Sequence, residues 1–428
     1  MLMKLLVRVL MIMIASFIMG ACGRGSDGTT AANNTLTYTV GGTVSGLATG
    51  VQVTLLNNGD DATTVVSDGA FTFATPLAFN GSYVVTVGTQ PSGQVCTISN
   101  ASGSGVTANV SNVQVNCLTK AQAAEQTVQS NATCIALTPF YWEIGDKNGV
   151  LVSGTGGTPV NGFTTVPSAT TSMAIASASK WLYSAFVLEL QGAAGPDPVD
   201  DVPFLNFTSG YTNFGLPICP GTGGTIDDCL NSGVGNGGIP RGTLSPENVG
   251  KFYYDSGHMQ KHASNFGLGS YTGTDLGQAI SAALGISVQF SDAQPAGSGI
   301  TTASDYAVFL RKVLNGELQI TRSLGTNAVC TWHDGYNPAT CPVPGVKSPT
   351  DSTTLHWHYS LGHWVEDEDS NRAYSSAGAF GFYPWVSTDL SLYGVIARSE
   401  PGTAVQEGFR SALCGRAVRL AYQTGTPQ

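Results

Sequence analysis

Charge is scarce in this chain. Only 11% of its 428 residues are charged, and 18 Lys plus Arg face 28 Asp plus Glu. A formal net charge of −10 leaves no basic footprint for DNA or RNA and repels anionic lipid, so nucleic acid is not an expected partner. No Cys-x-x-Cys spacing occurs among the nine cysteines, which argues for disulfide staples rather than a metal cluster. Glycine, at 54 residues, is abundant instead. That balance suits an exported, loop-rich protein better than a cytosolic enzyme with heavily charged helices. The length exceeds one ordinary core, so two domains are expected.

Lys4 and Arg8 precede an apolar stretch that runs to Met19 and ends in small residues. The stretch is short for a membrane span and reads as an export signal. Its ending, Met19-Gly20-Ala21-Cys22, resembles a bacterial lipobox. The resemblance implies a signal over residues 1–22, acylation of Cys22, and a lipid anchor in the cell envelope. Gly23 in place of Asp implies the outer membrane. With Cys22 set aside, eight cysteines remain for an oxidising compartment. Cys96 with Cys117, Cys219 with Cys229 and Cys330 with Cys341 lie close in sequence, which leaves Cys134 with Cys414.

Residues 23–36 are small and polar, a tether. Over 37–117 the apolar pattern has period two: Val51, Val53 and Leu55; Phe71 and Phe73; Tyr83, Val85 and Val87. Turn clusters separate these runs, predicting a small all-β sandwich. The pattern resembles the immunoglobulin-like modules of bacterial surface proteins. The segment holds no His and no Lys, so it reads as a stalk. Residues 118–133 read as a polar linker with room for a short helix. Over 134–428, strands near 140–144 and 149–152 precede helical patterns at 173–191, 274–285 and 303–315, and strands follow near 356–366, 373–383 and 390–397. That order predicts an α+β domain whose sheet is closed by both chain ends.

Ser177 stands three places before Lys180 in an apolar, helically spaced segment, and this is the chain's one Ser-x-x-Lys. Residues three apart share a helix face, so the lysine can stand beside the serine. A desolvated lysine loses its proton more readily and can act as base toward a hydroxyl that is otherwise a poor nucleophile. Downstream, FLNFTSGYTNF (204–214), FYYDSGHM (252–259), SGITTASDYAVFLRKVLN (298–315), YSLGHWV (359–365) and AYSSAGAFGFYPWV (373–386) follow in order. Together with the Ser-x-x-Lys, these segments resemble the serine β-lactamase and penicillin-binding-protein superfamily over residues 134–428. The resemblance implies a β-lactamase/transpeptidase-like antiparallel sheet flanked by helices. Ser177 would be the acylated nucleophile, Lys180 its proton acceptor and Tyr254 the acid or base that serves the leaving group. The backbone N–H groups of Ser177 and Ala379 would form the oxyanion hole. Ser256, Ser376, Gly378 and His363 fall where relatives contact substrate. No metal and no cofactor are implied.

Two departures bear on substrate. Ser256 replaces the second motif's amide, and Ser376 replaces the Lys or His that helps bind a β-lactam or peptide carboxylate. A missing cation removes a charge-assisted hydrogen bond of about 1.5–3 kcal/mol. The pattern is closer to the esterase and linear-amide branch, which includes 6-aminohexanoate-dimer hydrolases. A D,D-peptidase of the cell wall and a catalytically silent binding protein are the alternatives. With no Gly-x-Ser-x-Gly in the chain, no α/β-hydrolase elbow is expected. His258 and His262 are four apart but lack the intervening Glu of zinc proteases. His356 and His358 read as satisfied structural residues, Gly221 to Gly224 as part of the cleft rim, and 366–369 (EDED) as a solvated turn.

Overall fold

A computed structural model describes residues 36–160, 162, 164–215, 219, 224–333, 339–351, 353, 355–400 and 406–428. Cys22, the lipobox, the tether up to residue 35 and Gly221 to Gly223 lie outside the described residues. No helix among the described residues is long and apolar enough to cross a membrane.

The first domain is a sandwich of two four-stranded sheets. In one sheet the strand Val40–Ser45 lies between Gly69–Thr72 and Val110–Thr119, and Gln94–Ser99 pairs beyond. The other sheet orders Asp61–Val65, Val53–Asn57, Gly81–Thr89 and Ser102–Val106. Alternation sends every second residue inward: Val53, Leu55, Phe71, Phe73, Tyr83 and Val85 form the core with Val40, Val113 and Val115. Cys96 and Cys117 sit opposite each other in paired strands and are bonded.

The Lys120–Ser130 stretch takes up the short helix for which the expected linker left room, and packs it against the second domain. It is a helix, opened by a Thr119–Gln122 capping box, and it buries Ala124 and Val128 in the second domain's core. Its sequence reads polar because the long side chains face water, while small alanines make the inner stripe.

The second domain carries an antiparallel sheet of eight strands. Phe140–Asp146 pairs with Gly149–Gly156 on one side and with the late strand Tyr393–Ala397 on the other. From there Tyr383–Ser387, Ala373–Ser375, His363–Glu366, His358–Ser360 and Val329–Cys330 follow in order. First and last strands therefore meet, as the order of elements predicts. The Tyr383–Ser387 and Tyr393–Ala397 strands are buried throughout, which requires cover on both faces. Tyr383 and Trp385 meet Gly415 and Arg419 of the Gln406–Thr424 helix. Tyr393, in register with Val386 and so on the opposite face, meets Arg311 of the Ala303–Leu314 helix. Cys134–Cys414 ties the domain's first turn to its last helix, and the pairs Cys219–Cys229 and Cys330–Cys341 are also bonded.

Two expectations need correction. The helix expected from residue 173 begins at Ser179. Before it, Met173–Ala174 pairs with Thr301 and Ile300, and Ile175 donates its N–H to the Gly299 carbonyl. Those backbone groups are committed to a small sheet and are not free for a helix. The acidic run at 366 is not a solvated turn: Glu366 is fully buried against Arg416 and Arg419. Glu368 and Asp369 pair with Arg416 at the surface.

Candidate active site

Ser177 lies in a single 3-10 turn, Ala176–Ala178, that leads into the Ser179–Gln191 helix. Ala176 has φ +43, a left-handed conformation that costs a non-glycine residue about 1–2 kcal/mol. Ser179 fixes the turn from the helix side: its Oγ donates to the Ala176 carbonyl and accepts the Gly299 N–H. Two further non-glycine residues with positive φ, Phe207 and Leu361, flank the site. Asn206 Oδ1 accepts the Leu361 N–H at 2.5 Å, which pins those two segments together. Such strain persists only where surroundings over-determine it.

Lys180 is 3% exposed. Its Nζ lies 2.8 Å from Ser177 Oγ and donates to the Ala296 carbonyl at 2.6 Å. It also stands 4.9 Å from the centre of the Tyr254 ring and 5.9 Å from that of Phe207. Burial pushes the amine down to about 7, against an opposing pull from the Asp255 carboxylate. A neutral amine held by Ala296 keeps its lone pair for the serine proton. Burial pushes the Tyr254 phenol up, so it stays protonated, and its side-chain hydrogen bond with Ser177 pulls it partly back. Serine, lysine and tyrosine thus form one contact set, drawn from two separate stretches of chain.

The segment 376–379 closes the other side. Ser376 Oγ donates to the Ser177 carbonyl at 3.2 Å. Gly378 donates its N–H to Phe382, and a Cβ there would collide with the Ile175 carbonyl. Only glycine lets this strand end run so close to the turn that carries Ser177. Ala379 follows, half-buried.

Ser256 opens the Gly257–Ala263 helix without a side-chain cap bond. Beside it, Asp255 is 5% exposed and accepts the N–H groups of Phe214, Gly215 and Gly257 and the side-chain amide of Asn236. The Ala296 carbonyl is invisible in sequence, because any residue type can supply it.

His363 does not line a substrate pocket. It is fully buried, stacked on Trp181, with Nε2 accepting the Gly325 N–H and Nδ1 donating to the Leu361 carbonyl. Burial pushes it down to about 4, so it is a neutral core residue. Expectation and structure diverge because adjacent strand residues point to opposite faces, and the motif match did not fix which.

The other histidines have separate structural partners. His258 lies between Ser209 Oγ and the Tyr253 carbonyl and stacks on Phe207; burial takes it down to about 3. His262 bridges Asp201 and the Tyr183 hydroxyl at 2.9 and 2.7 Å. His358 pairs with Asp367.

No protein-family model and no curated protein matches the chain. Solved structures do. The D-amino acid amidase of Ochrobactrum anthropi is similar at 12% identity over 71% of this chain and 99% of that one, with TM-score 0.49. A D-stereospecific amidohydrolase from Streptomyces sp. is similar at 15% identity over 69% and 99%, with TM-score 0.44. A penicillin binding protein from Bacillus halodurans is similar at 13% identity over 65% and 95%, with TM-score 0.45. Likeness at these identities concerns fold alone. The second domain's antiparallel sheet with helices on both faces agrees with the architecture that the sequence resemblance implies.

Proposed function

We propose that the protein is a serine hydrolase that forms an acyl-enzyme on Ser177 and hydrolyses an ester or a linear amide. The observation that carries this reading is the Lys180 Nζ–Ser177 Oγ contact of 2.8 Å, made by an amine whose burial leaves it near neutrality. Lys180 accepts the Ser177 proton as Oγ attacks the carbonyl carbon. The backbone N–H groups of Ser177 and Ala379 receive the oxyanion, and preorganised donors of this kind are commonly worth about 2.7–4 kcal/mol each. Tyr254, in contact with both Ser177 and Lys180, passes a proton to the departing alcohol or amine. Water then attacks the acyl-enzyme by the same groups in reverse. No step calls for a metal or cofactor.

Ser376 supplies no charge for a substrate carboxylate, and its hydroxyl is already engaged with Ser177. This favours substrates that are uncharged beside the scissile bond over β-lactams and peptides with a free carboxylate. The Cys22 lipobox supports a location in the bacterial envelope, anchored by lipid, with the sandwich as stalk.

The test is covalent labelling. Purified protein is incubated with a fluorophosphonate and the adduct located by mass spectrometry. One adduct on Ser177, lost in Ser177→Ala and strongly slowed in Lys180→Ala, is the expected result. An unlabelled but folded protein would overturn the hydrolase reading in favour of a silent binding protein.

A further inference from the structure

His258 is fully buried near the start of the Gly257–Ala263 helix. Side chains on a helix lean toward its N-terminus, so the imidazole reaches back over the segment that carries Tyr254. Its Nε2 lies 2.9 Å from the Tyr253 carbonyl and its Nδ1 2.7 Å from Ser209 Oγ. A carbonyl only accepts, so Nε2 carries the proton. Burial pushes the ring down to about 3 and keeps it neutral, so Nδ1 accepts and Ser209 donates. Both ring nitrogens are thereby used, and the Ser209 hydroxyl fixes the tautomer.

The peptide between Tyr253 and Tyr254 is held at both of its polar ends. His258 takes the Tyr253 carbonyl, and the Tyr254 N–H donates to the Lys347 carbonyl at 2.9 Å. The Tyr253 N–H donates to the Phe207 carbonyl at 3.0 Å. Of these three anchors His258 alone is a side chain, and it touches Phe207 as well: the two rings stack with centres 5.1 Å apart and planes 11° apart. Phe207, with φ +60, sets its ring 5.4 Å from that of Tyr254 and 5.9 Å from Lys180 Nζ. One imidazole thus meets both the backbone that presents Tyr254 and the aromatic wall beside Lys180. His262, one helical turn on, is bonded instead to Asp201 and Tyr183 and takes no part.

We propose that His258 is a positioning residue for the hydrolysis, whose imidazole locks the Tyr253–Tyr254 peptide and backs the Phe207 ring, and so holds the Tyr254 phenol at the Ser177–Lys180 pair. The proposal rests on the hydrolase reading for its kinetic consequence but not for its spectroscopic one. In that reaction Tyr254 hands a proton to the leaving group. Such a transfer tolerates little displacement, and a shift of about 1 Å can cost roughly a hundredfold in rate. An apolar side chain of similar size would fill the same space but leave the Tyr253 carbonyl and the Ser209 hydroxyl without this partner. The hydrogen bonds of the ring, and not its bulk, are what the site uses.

The experiment compares two variants that divide the contacts of the ring. In His258→Gln the amide nitrogen falls where Nε2 lies and can donate to the Tyr253 carbonyl. In His258→Asn the shorter amide falls where Nδ1 lies, pairs with Ser209 and does not reach Tyr253. NMR on protein carrying 13Cζ-tyrosine follows the Tyr254 resonance, assigned by its absence in Tyr254→Phe. The expected result is a Tyr254 signal displaced in His258→Asn and close to its wild-type place in His258→Gln. Hydrolysis is then compared on ethyl butyrate, whose alkoxide needs a proton to leave, and on p-nitrophenyl butyrate, whose phenolate does not. His258→Asn should lower kcat on the ethyl ester roughly ten- to a hundredfold with KM little moved, and should largely spare the nitrophenyl ester. His258→Gln should recover most of that loss. An unmoved Tyr254 signal in folded His258→Asn overturns the proposal. So does an equal loss on the two esters, or unfolding of both variants, which makes the imidazole a support of the fold and nothing more. If Ser177 never labels and neither ester is hydrolysed while the Tyr254 signal moves in His258→Asn alone, the hydrolase reading fails and the placing of Tyr254 by His258 stands.

Discussion

Ser376 Oγ donates to the backbone carbonyl of Ser177 at 3.2 Å, so its hydroxyl braces the turn that carries Ser177. A hydroxyl so engaged adds rigidity and no positive charge. Restoring a charge tests what its absence does to substrate choice. Ser376→Lys is expected to raise acylation by carboxylate-bearing substrates roughly ten- to a hundredfold. Neutral esters should gain nothing and lose some rate, since the brace is gone. Initial rates on matched acid and methyl-ester pairs decide it.

Lys180 should impose a pH limit on the reaction. In the proposed reaction its neutral form accepts the serine proton, and burial brings it to about 7, so kcat/KM is expected to rise with pH through that value. Replacement by alanine should cost about 10²–10⁴ in rate.

The same burial has an opposite effect on stability. Between about 7 and the ordinary lysine value the folded state binds fewer protons than the unfolded one. Stability therefore rises with pH across this window, and the penalty is greatest below it. Lys180→Met is expected to fold more stably than wild type at pH 6 while losing activity. A lower Tm at pH 6 would contradict this.

Glu366 accepts from Arg416 at 3.1 Å and Arg419 at 2.7 Å, with Tyr383 donating at 2.5 Å. Burial raises its carboxyl, but Arg419 and Arg416 outweigh burial and hold it below the usual range. The stabilisation is present above the unfolded value and is lost as pH falls through the folded one. Glu366→Gln leaves the buried Arg419 without its counter-charge, while Arg416 keeps Glu368 and Asp369, and is expected to cost about 3–5 kcal/mol. Urea unfolding at pH 7 measures it.

The Cys134–Cys414 bond spans a sequence separation of 280. The paired Cys134→Ser, Cys414→Ser variant is expected to lose about 2–5 kcal/mol of stability. Its labelling at Ser177 should persist below the lowered Tm, because the bond lies at the domain's closure and not in the site.

Local periodicity and spacing carried much of this protein. The alternation of Phe71 with Phe73 and of Tyr83 with Val85 sufficed for the sandwich core, because a strand's two faces repeat every second residue whatever its partners. Three places between Ser177 and Lys180 sufficed for their contact, since one helical turn brings them together. Close pairs of cysteines, and the two left over, were likewise readable by elimination. What long-range packing decides was not. Burial that lowers Lys180, the Ala296 carbonyl that holds it, the Phe214 and Gly215 donors to Asp255 and the withdrawal of His363 and Glu366 into the core all depend on chain segments that are distant in sequence. Sequence states which groups are present. Only the folded chain removes water from some of them, and desolvation is what turns a lysine into a base and a histidine into filler.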